Sequence, residues 1–230
     1  MSRSGESKRP ALLLGTGNRH KVKEISEILS DILGWTGRAG GRTANAEEKS
    51  LLLVSLLDFP DLVLPEETGN SYRENAEAKA RAGAEATGFI TLADDSGLEV
   101  DALSGAPGIH SARWLGEVSQ TERNRRIVEA LQDCALGDRR ARFRCAVAVC
   151  KPGEGRQAAT VQIFEAALSG FIAKEASGDG GFGYDPIFLP DEDGRPGRRT
   201  LAQVSPSQKN RISHRAQALH LAADHLSSLF

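Results

Sequence analysis

Apolar residues occur near the start of the chain in two forms, a short unbroken run and then a helical spacing. The run Ala11–Leu14 predicts a buried strand, and the glycines at positions 15 and 17 predict a tight turn after it. Asn18 is a favourable helix N-cap, and apolar residues at helical spacing follow it to Leu33. The pattern therefore predicts a strand, a glycine turn and an amphipathic helix in succession.

The next hundred residues continue this alternation. Residues 34–50 are rich in glycine, which predicts a mobile loop, and Leu51–Leu57 is a second apolar run. Ser71 and Glu74 have the spacing of a capping box, which predicts a helix that ends near Thr87. The run of residues 89–93 predicts a buried strand, and the acidic and glycine-containing residues after it predict a polar loop.

The second half of the chain contains paired strand signals between two further capping signals. Ser119 opens a predicted helix that extends to about Gln132, and Arg142–Val149 and Ala158–Leu168 predict two strands joined by a turn at residues 152–155. Ser205 opens the last helical region with proline at the first helical position. That region is expected to bury Ile212, Ala216, Leu219, Ala223 and Leu226.

Alternating helices and strands, followed by paired strands, predict an α/β protein with a central mixed, twisted sheet and flanking helices. Residues 1–9 are predicted to form a disordered tail, and residues 10–230 a single domain.

Composition narrows the range of partners. The formal net charge is −2 with no block of like charge, which argues against a general binder of nucleic acid or of a membrane surface. The three cysteines have no metal-binding or redox spacing, so they are expected to be reduced thiols in a cytoplasmic protein.

Four segments carry candidate chemistry. Thr16–Lys21 places glycine and a cation at a helix N-terminus, an arrangement that suits phosphate. Glu66-Glu67 and Asp94-Asp95 offer carboxylates for Mg²⁺ shared with substrate phosphates. The residues Gly180–Asp185 set two aromatic rings among glycines, where a base could stack. Lys209, His214 and Arg215 supply polar and cationic groups near the C-terminus.

In combination these segments resemble the inosine triphosphatase family, the pyrophosphatases of deaminated purine nucleotides. The matching strings run in family order from Leu14 to Leu219, and they are LGTGNRHKVKE, PEETGNSYRENAEAKA, LADDSGLEVDALSGAPGIHSARW, RFRCAVAV, GGFGYDPIF and SPSQKNRISHRAQAL. The glycine-rich residues 34–50 and the insert 191–199 depart from the family pattern without affecting a motif.

The resemblance implies the fold, reaction and site. It implies two lobes around a nucleotide cleft, a homodimer, and Mg²⁺-dependent hydrolysis of ITP, dITP or XTP to the monophosphate and pyrophosphate. Asp95 matches the catalytic base and metal ligand, and Glu66 a second metal-site carboxylate; Asp94 is left as either another ligand or a loop-capping residue. The positions matching substrate-binding residues are Thr16, Gly17, Asn18, Arg19, His20, Lys21, Ser96, Phe182, Gly183, Tyr184, Asp185, Lys209, His214 and Arg215.

Base selection is expected to depend on a cation. Hypoxanthine and xanthine have an acceptor at C6 where adenine has a donor, so Arg215 or a charged His214 aimed at C6 would favour the former. Two alternatives stay open: a pyrophosphatase of the septum-formation type that acts on dTTP or UTP, and a nucleotide sensor without turnover.

The family match also predicts a break in the last helical region. In one unbroken helix, Lys209 and His214 would point about 140° apart, so one ligand could hardly contact both. We therefore expect a break near Ile212-Ser213, with Ser213 as the N-cap of a separate final helix.

Overall fold

A computed structural model describes residues 11–34, 51–153, 155 and 157–230. The expected disordered tail at 1–9 and nearly all of the expected mobile loop at 34–50 lie outside the described residues. The strands are β1 (Ala11–Leu14), β2 (Leu52–Ser55), β3 (Ile90–Val100), β4 (Arg140–Lys151), β5 (Thr160–Ile172), β6 (Phe188–Glu192) and β7 (Arg195–Pro196). The α-helices are α1 (Arg19–Leu33), α2 (Tyr72–Thr87), α3 (Gln120–Ala130), α4 (Pro206–Ile212) and α5 (His214–Ser228).

The strands form one mixed sheet, which confirms the predicted fold class. The strand order is β2-β1-β3-β4-β5-β6-β7. β1 is parallel to both of its neighbours, and all pairs from β3 to β7 are antiparallel. None of the described helices is both long and apolar enough to cross a membrane.

The acidic residues after position 93 lie in a strand, so the prediction of a polar loop there is wrong. β3 continues through Asp94 and Asp95 to Val100, and these two residues pair with Val147 and Ala146 of β4. The backbone groups of the acidic segment are thus satisfied by a long antiparallel partner that local sequence does not reveal.

The predicted helix starts are confirmed. Asn18, Ser71, Ser119 and Ser205 each accept a hydrogen bond from a backbone N–H in the first turn of their helix. The reciprocal half of the capping box is present at Ser205, whereas Glu74 accepts instead from the backbone N–H of residue 70. α3 ends at Ala130, two residues before the predicted end, and β4 and β5 are longer than predicted.

The break in the last helical region is confirmed. α4 ends at Ile212, and the Ser213 hydroxyl accepts from the backbone N–H of Ala216 at 3.1 Å, which makes Ser213 the N-cap of α5. The expected burial of Ile212 is wrong, since it is 38% exposed, and Ala222 rather than Ala223 is fully buried. Because the helix is interrupted, the buried positions of α4 and α5 do not follow one continuous helical repeat. A pattern extended through both helices therefore assigns some residues to the wrong face.

Three apolar cores share the long strands. One joins Ala93 of β3 and Ala146 of β4 to α2. The other two lie on either side of the acidic segment. Leu92 of β3 and Val147 of β4 belong to a core with α1 and α5, whereas Leu98 of β3 and Phe143 of β4 belong to a core with α3 and the residues around Phe188. The acidic segment of β3 lies between these two stretches. Two cores with polar residues between them agree with the expected lobes around a cleft.

Candidate active site

A cleft of about 420 Å³ lies at the acidic segment of β3 and collects residues from distant parts of the chain. Its lining residues are Asn18, His20, Lys21, Glu67, Asp95, Ser96, Gly97, Ser111, Ala112, Gln120, Phe143, Phe182, Gly183, Tyr184, Asp185, Lys209, His214 and Arg215. A larger groove of about 1020 Å³ runs along α1, but it is lined by none of the β3 residues. The smaller cleft is therefore the candidate site.

Asp94 is the centre of a buried ion-pair cluster. Its Oδ2 accepts from the Lys21 ammonium at 3.0 Å and from Nε and Nη2 of Arg215 at 3.2 and 3.0 Å. Burial opposes the charge of Asp94, but Lys21 and Arg215 outweigh it and hold the pKa of this carboxyl well below its usual range. Asp94 therefore holds two cations in place.

Asp95 has more neutral surroundings. Its Oδ2 accepts from the Asn75 side-chain amide at 2.9 Å, and its Oδ1 lies 3.9 Å from the Lys79 ammonium. Burial raises the pKa of Asp95; Lys79 partly offsets this rise and the charge of Glu67 adds to it. A carboxylate with a raised pKa, held by an amide and facing a cleft, has the properties of a general base.

Of the two adjacent glutamates, Glu67 lines the cleft and the predicted Glu66 does not. Glu66 is exposed to solvent instead. Glu67 Oε1 accepts from Lys79 at 2.6 Å, and Arg113 donates to the backbone carbonyl of Glu67 at 2.8 Å. Burial acts to raise the pKa of Glu67, but Lys79, Lys21 and Arg113 lower it overall. These contacts turn the second of the two adjacent glutamates inward.

The glycine turn before α1 contributes half of its predicted residues to the cleft. Asn18, His20 and Lys21 line the cleft, and the Asn18 Oδ1 accepts from the backbone N–H groups of His20 and Lys21. Thr16 and Gly17 do not line it, and Arg19 lines the groove along α1 instead. For Arg19 the reason is helical geometry, because successive residues of the first turn point in different directions.

The glycine-rich loop before β6 is organised by a buried carboxylate. Asp185 Oδ2 accepts from the Phe182 backbone N–H at 2.8 Å and from the Lys209 ammonium at 2.7 Å. Burial raises the pKa of Asp185 while Lys209 opposes that rise. A Cβ on Gly181 would lie 2.0 Å from the same oxygen, and the φ of Gly181 is +67°, so glycine is required. Tyr184 is also buried, and its hydroxyl donates to the Ser111 carbonyl.

The first turn of α5 brings His214 and Arg215 into the cleft. Nη1 of Arg215 donates to Glu24 of α1, and its other donors serve Asp94 and the Ser96 hydroxyl. Every nitrogen of this guanidinium is thus occupied by the protein. Lys209 lies 3.4 Å from the same Glu24, so one buried glutamate joins α1 to both cations.

His214 is neutral rather than the expected cation. Burial lowers its pKa well below the usual value, and Arg215 and Lys209 lower it further. Its ring stacks on Phe143 with a centroid distance of 4.7 Å. Its buried Nδ1 has no hydrogen-bond partner among the described residues. A neutral imidazole offers one donor and one acceptor, so it can still read a base edge.

The sequence reasoning missed five cleft-lining residues: Gly97, Ser111, Ala112, Gln120 and Phe143. It also missed four residues that hold the site together: Asn75, Lys79, Arg113 and Glu24. A signal existed for two of them. Asn75 and Lys79 are four residues apart in α2 and lie on the face that also buries Ala76 and Ala80. Polar residues on the buried face of an alanine-rich helix need partners. Here Asn75 donates to the Asp95 carboxylate, and Lys79 donates to the Glu67 carboxylate and to the Asp94 backbone carbonyl.

The cleft fits a divalent cation that is shared with a substrate. No group of three or more His, Cys, Asp or Glu side chains in the described part of the chain is placed to hold a metal ion. Asp95 and Glu67 nevertheless face the same cleft and share the Lys79 ammonium. Mg²⁺ is usually held by one or two carboxylates together with waters and substrate phosphates, which matches this pair.

Comparison with known protein families gives one consistent result. The model of the Ham1 family matches residues 12–225. The chain is 40% identical over 220 residues to the dITP/XTP pyrophosphatase of Desulforamulus reducens, covering 95% of this chain and 96% of that protein. It is 41% identical over 216 residues to the enzyme of the same name from Geobacter sulfurreducens, covering 94% and 96%.

Solved structures agree with the sequence comparisons. A HAM1 protein from Coxiella burnetii superimposes with a TM-score of 0.73 at 34% identity, covering 95% of this chain and 99% of that one. The nucleoside-triphosphatase / dITP/XTP pyrophosphatase from Mycobacterium abscessus superimposes with a TM-score of 0.63 at 36% identity, covering 92% and 97%.

Proposed function

This chain belongs to the Ham1 family, and from that membership we propose that it hydrolyses ITP, dITP and XTP to the monophosphate and pyrophosphate. Several curated relatives that are about 40% identical over nearly their whole length are dITP/XTP pyrophosphatases. The structural observation that supports the proposal best is the pair of carboxylates, Asp95 and Glu67, in one cleft with Lys21.

Asp95 is the proposed base for direct attack by water on the α–β phosphoanhydride. The new P–O bond forms with the water oxygen, the bridging P–O bond breaks, and the water proton passes to Asp95. The raised pKa of Asp95 favours this transfer, and the Asn75 amide fixes the orientation of the carboxylate. Asn75 itself accepts from the Gly69 backbone N–H, so the loop that carries Glu67 and the base are held together.

Cations of the protein neutralise the phosphates. Phosphoryl transfer depends mainly on positioning and on charge stabilisation. Lys21 lies in the cleft at the N-terminus of α1, where the helix dipole also favours an anion. Lys79 is buried between Glu67 and Asp95 and keeps this acidic pair from repelling the substrate.

Asp95 and Glu67 are the proposed ligands of Mg²⁺, which binds together with the triphosphate. When bound, the cation neutralises phosphate charge and makes the attacking water easier to deprotonate. The protein supplies the two carboxylates and holds them within reach of Lys79, which balances their charge before the substrate arrives.

His214 is the proposed reader of the base. His214 lines the cleft, and a nitrogen of its neutral ring can donate to the C6 oxygen of hypoxanthine or xanthine in the appropriate tautomer. Arg215 is a positioning residue, since its donors already serve Glu24, Asp94 and Ser96. When the His214 ring is held in the donating tautomer, adenine cannot form this hydrogen bond, and such a mismatch lowers the rate by about 10⁴-fold or more.

The family resemblance also supports three coarser features of the proposal. These are a homodimer, a location in the cytoplasm, and action on free nucleotides rather than on nucleic acid or at a membrane. Sedimentation velocity of the purified protein tests the homodimer. A molecular mass equal to that of one chain at micromolar concentration would contradict it.

A substrate panel tests the proposed reaction. Purified protein with Mg²⁺ is incubated with ITP, XTP, ATP, GTP, dTTP and UTP, and phosphate is measured with and without added inorganic pyrophosphatase. We expect turnover of ITP and XTP, phosphate only after the pyrophosphatase is added, and no activity in EDTA. Direct release of phosphate, or equal rates on ATP, contradicts the proposal. Preference for dTTP or UTP would favour the septum-formation type, and binding of ITP without turnover would favour a sensor.

A further inference from the structure

The side chain of His20 covers the ring of Phe182 in the nucleotide cleft. The two ring centroids are 5.4 Å apart and the ring planes differ by 21°, which is an offset-stacked geometry. Both residues line the cleft, and both also line a second cavity of about 150 Å³ beside it. The stacked pair therefore forms part of the wall between the two spaces.

Phe182 has a second neighbour that is held much more firmly. The Lys209 ammonium lies 4.4 Å from the Phe182 ring centroid, and it is buried and fixed by Asp185 at 2.7 Å. His20 is exposed, and its imidazole forms no hydrogen bond with any described residue. The Arg215 guanidinium lies 5.7 Å from the Phe182 ring centroid and is held by Glu24 and Asp94. A base that stacks on Phe182 must displace one of these three groups, and His20 is the one that can leave without breaking a buried ion pair.

We propose that His20 is a displaceable cover of Phe182, and that nucleotide binding exchanges the His20–Phe182 stack for a stack of the base on Phe182. This inference rests on the proposed function, because it takes a nucleobase as the incoming group. The cover keeps an aromatic surface out of water while the cleft is free. It also lowers the apparent affinity for nucleotide, since only the uncovered fraction of molecules can bind.

The stack is tested first in the free protein. Histidine-labelled protein is observed by NMR, and the His20 signal is identified by its loss in His20→Ala. A ring that stacks on Phe182 experiences its ring current, so Phe182→Leu is expected to move the His20 signal while leaving that of His110 in place. An unmoved His20 signal would show that the two rings are not in contact and would overturn the proposal.

The exchange is tested by kinetics with ITP and Mg²⁺. His20→Ala is expected to lower KM about two- to tenfold, which is the worth of an aromatic stack, while kcat changes less than KM. His20→Phe keeps a stacking ring and should not lower KM. Lys23→Ala removes another exposed side chain from α1 that does not line the cleft, so its KM should equal that of the unmodified protein.

The outcomes separate the cover from the reaction itself. A KM that is unchanged or higher in His20→Ala, or that falls equally in His20→Ala and His20→Phe, refutes the cover while the proposed function stands. No ITP turnover by the unmodified protein refutes the proposed function and the exchange together.

Discussion

Asp94 and Asp95 are adjacent, yet their surroundings assign them opposite tasks. Side chains of consecutive strand residues point to opposite faces of a sheet. Accordingly, α1 and α5 provide the partners of Asp94, whereas α2 provides those of Asp95. One carboxyl is held fully charged between two cations, and the other keeps a raised pKa.

This contrast predicts different results for the same substitution at neighbouring positions. Asp95→Asn is nearly isosteric and should reduce kcat by about 10²–10⁴-fold, the usual worth of a general base, with little change in stability. Asp94→Asn removes the partner of buried Lys21 and Arg215 and should reduce the free energy of unfolding by about 3–5 kcal/mol. Urea denaturation and ITP kinetics measure both, and near wild-type turnover by folded Asp95→Asn would disprove its role.

Glu66 and Glu67 provide a second matched pair. Glu67→Gln removes a cleft carboxylate and should raise the Mg²⁺ concentration for half-maximal activity by at least about tenfold. Glu66→Gln changes an exposed side chain outside the cleft and should leave that concentration unaltered. Titration of activity with Mg²⁺ compares them, and the reverse order would restore the assignment that the sequence suggested.

At the scale of elements, the helix break at Ser213 is what lets one ligand meet α4 and α5. The break gives α5 its own N-terminus, so that His214 and Arg215 occupy a first turn that faces the cleft. Lys209 reaches the same cleft from α4. The short α4 and the break are therefore parts of the site.

The cap of α5 carries a measurable prediction. Ser213→Ala removes the hydroxyl that accepts from Ala216 and should cost about 1 kcal/mol of stability, whereas Ser213→Gly should cost only a few tenths. Because the cap fixes the first turn, we also expect KM for ITP to rise more in the alanine variant. Equal stability of the two variants would indicate that the hydroxyl does not act as a cap.

At the scale of the whole molecule, β3 and β4 run through the core with α1 and α5, the core with α3, and the core with α2. None of these cores can lose its strands without disturbing the others, so we propose that residues 10–230 unfold as one unit. The fluorescence of Trp114, which packs against the core with α3, is isolated by the substitution Trp35→Phe. That fluorescence and far-UV circular dichroism should give one coincident transition. Two separate midpoints would contradict a single domain.

Acid should destabilise the molecule through His214. The groups that set its charge are Arg215, Lys209 and Lys21, which oppose protonation, and Asp94, which favours it. The folded pKa lies below the unfolded value of about 6.5, so under that pH the unfolded chain binds a proton that the folded chain does not. The contribution of His214 to the free energy of unfolding is therefore fully present above about pH 6.5. As the pH drops below about 6.5, this contribution decreases by at most about 1.4 kcal/mol per pH unit.

His214→Phe tests this dependence, because phenylalanine keeps the stack on Phe143 but cannot bind a proton. Melting temperatures from pH 7 to pH 5 should fall less steeply in the variant than in the unmodified protein. Parallel slopes would show that other groups account for the acid sensitivity.

Local sequence determined the elements and most of the residue types in the site. Asn18, Ser71 and Ser205 cap their helices within three or four residues, so their signals are complete in a short window. The break at Ser213 follows from the family match, because Lys209 and His214 can contact one nucleotide only if the helix is interrupted between them.

Only the tertiary structure decided which of these residues act together. The partners of Asp94 lie 73 and 121 residues away along the chain, and the pairing with β4 carries β3 through the acidic segment. The inward turn of Glu67 depends on Lys79 and Arg113. Charges and strands select their partners by proximity in space, and a pattern read along the chain contains no measure of that distance.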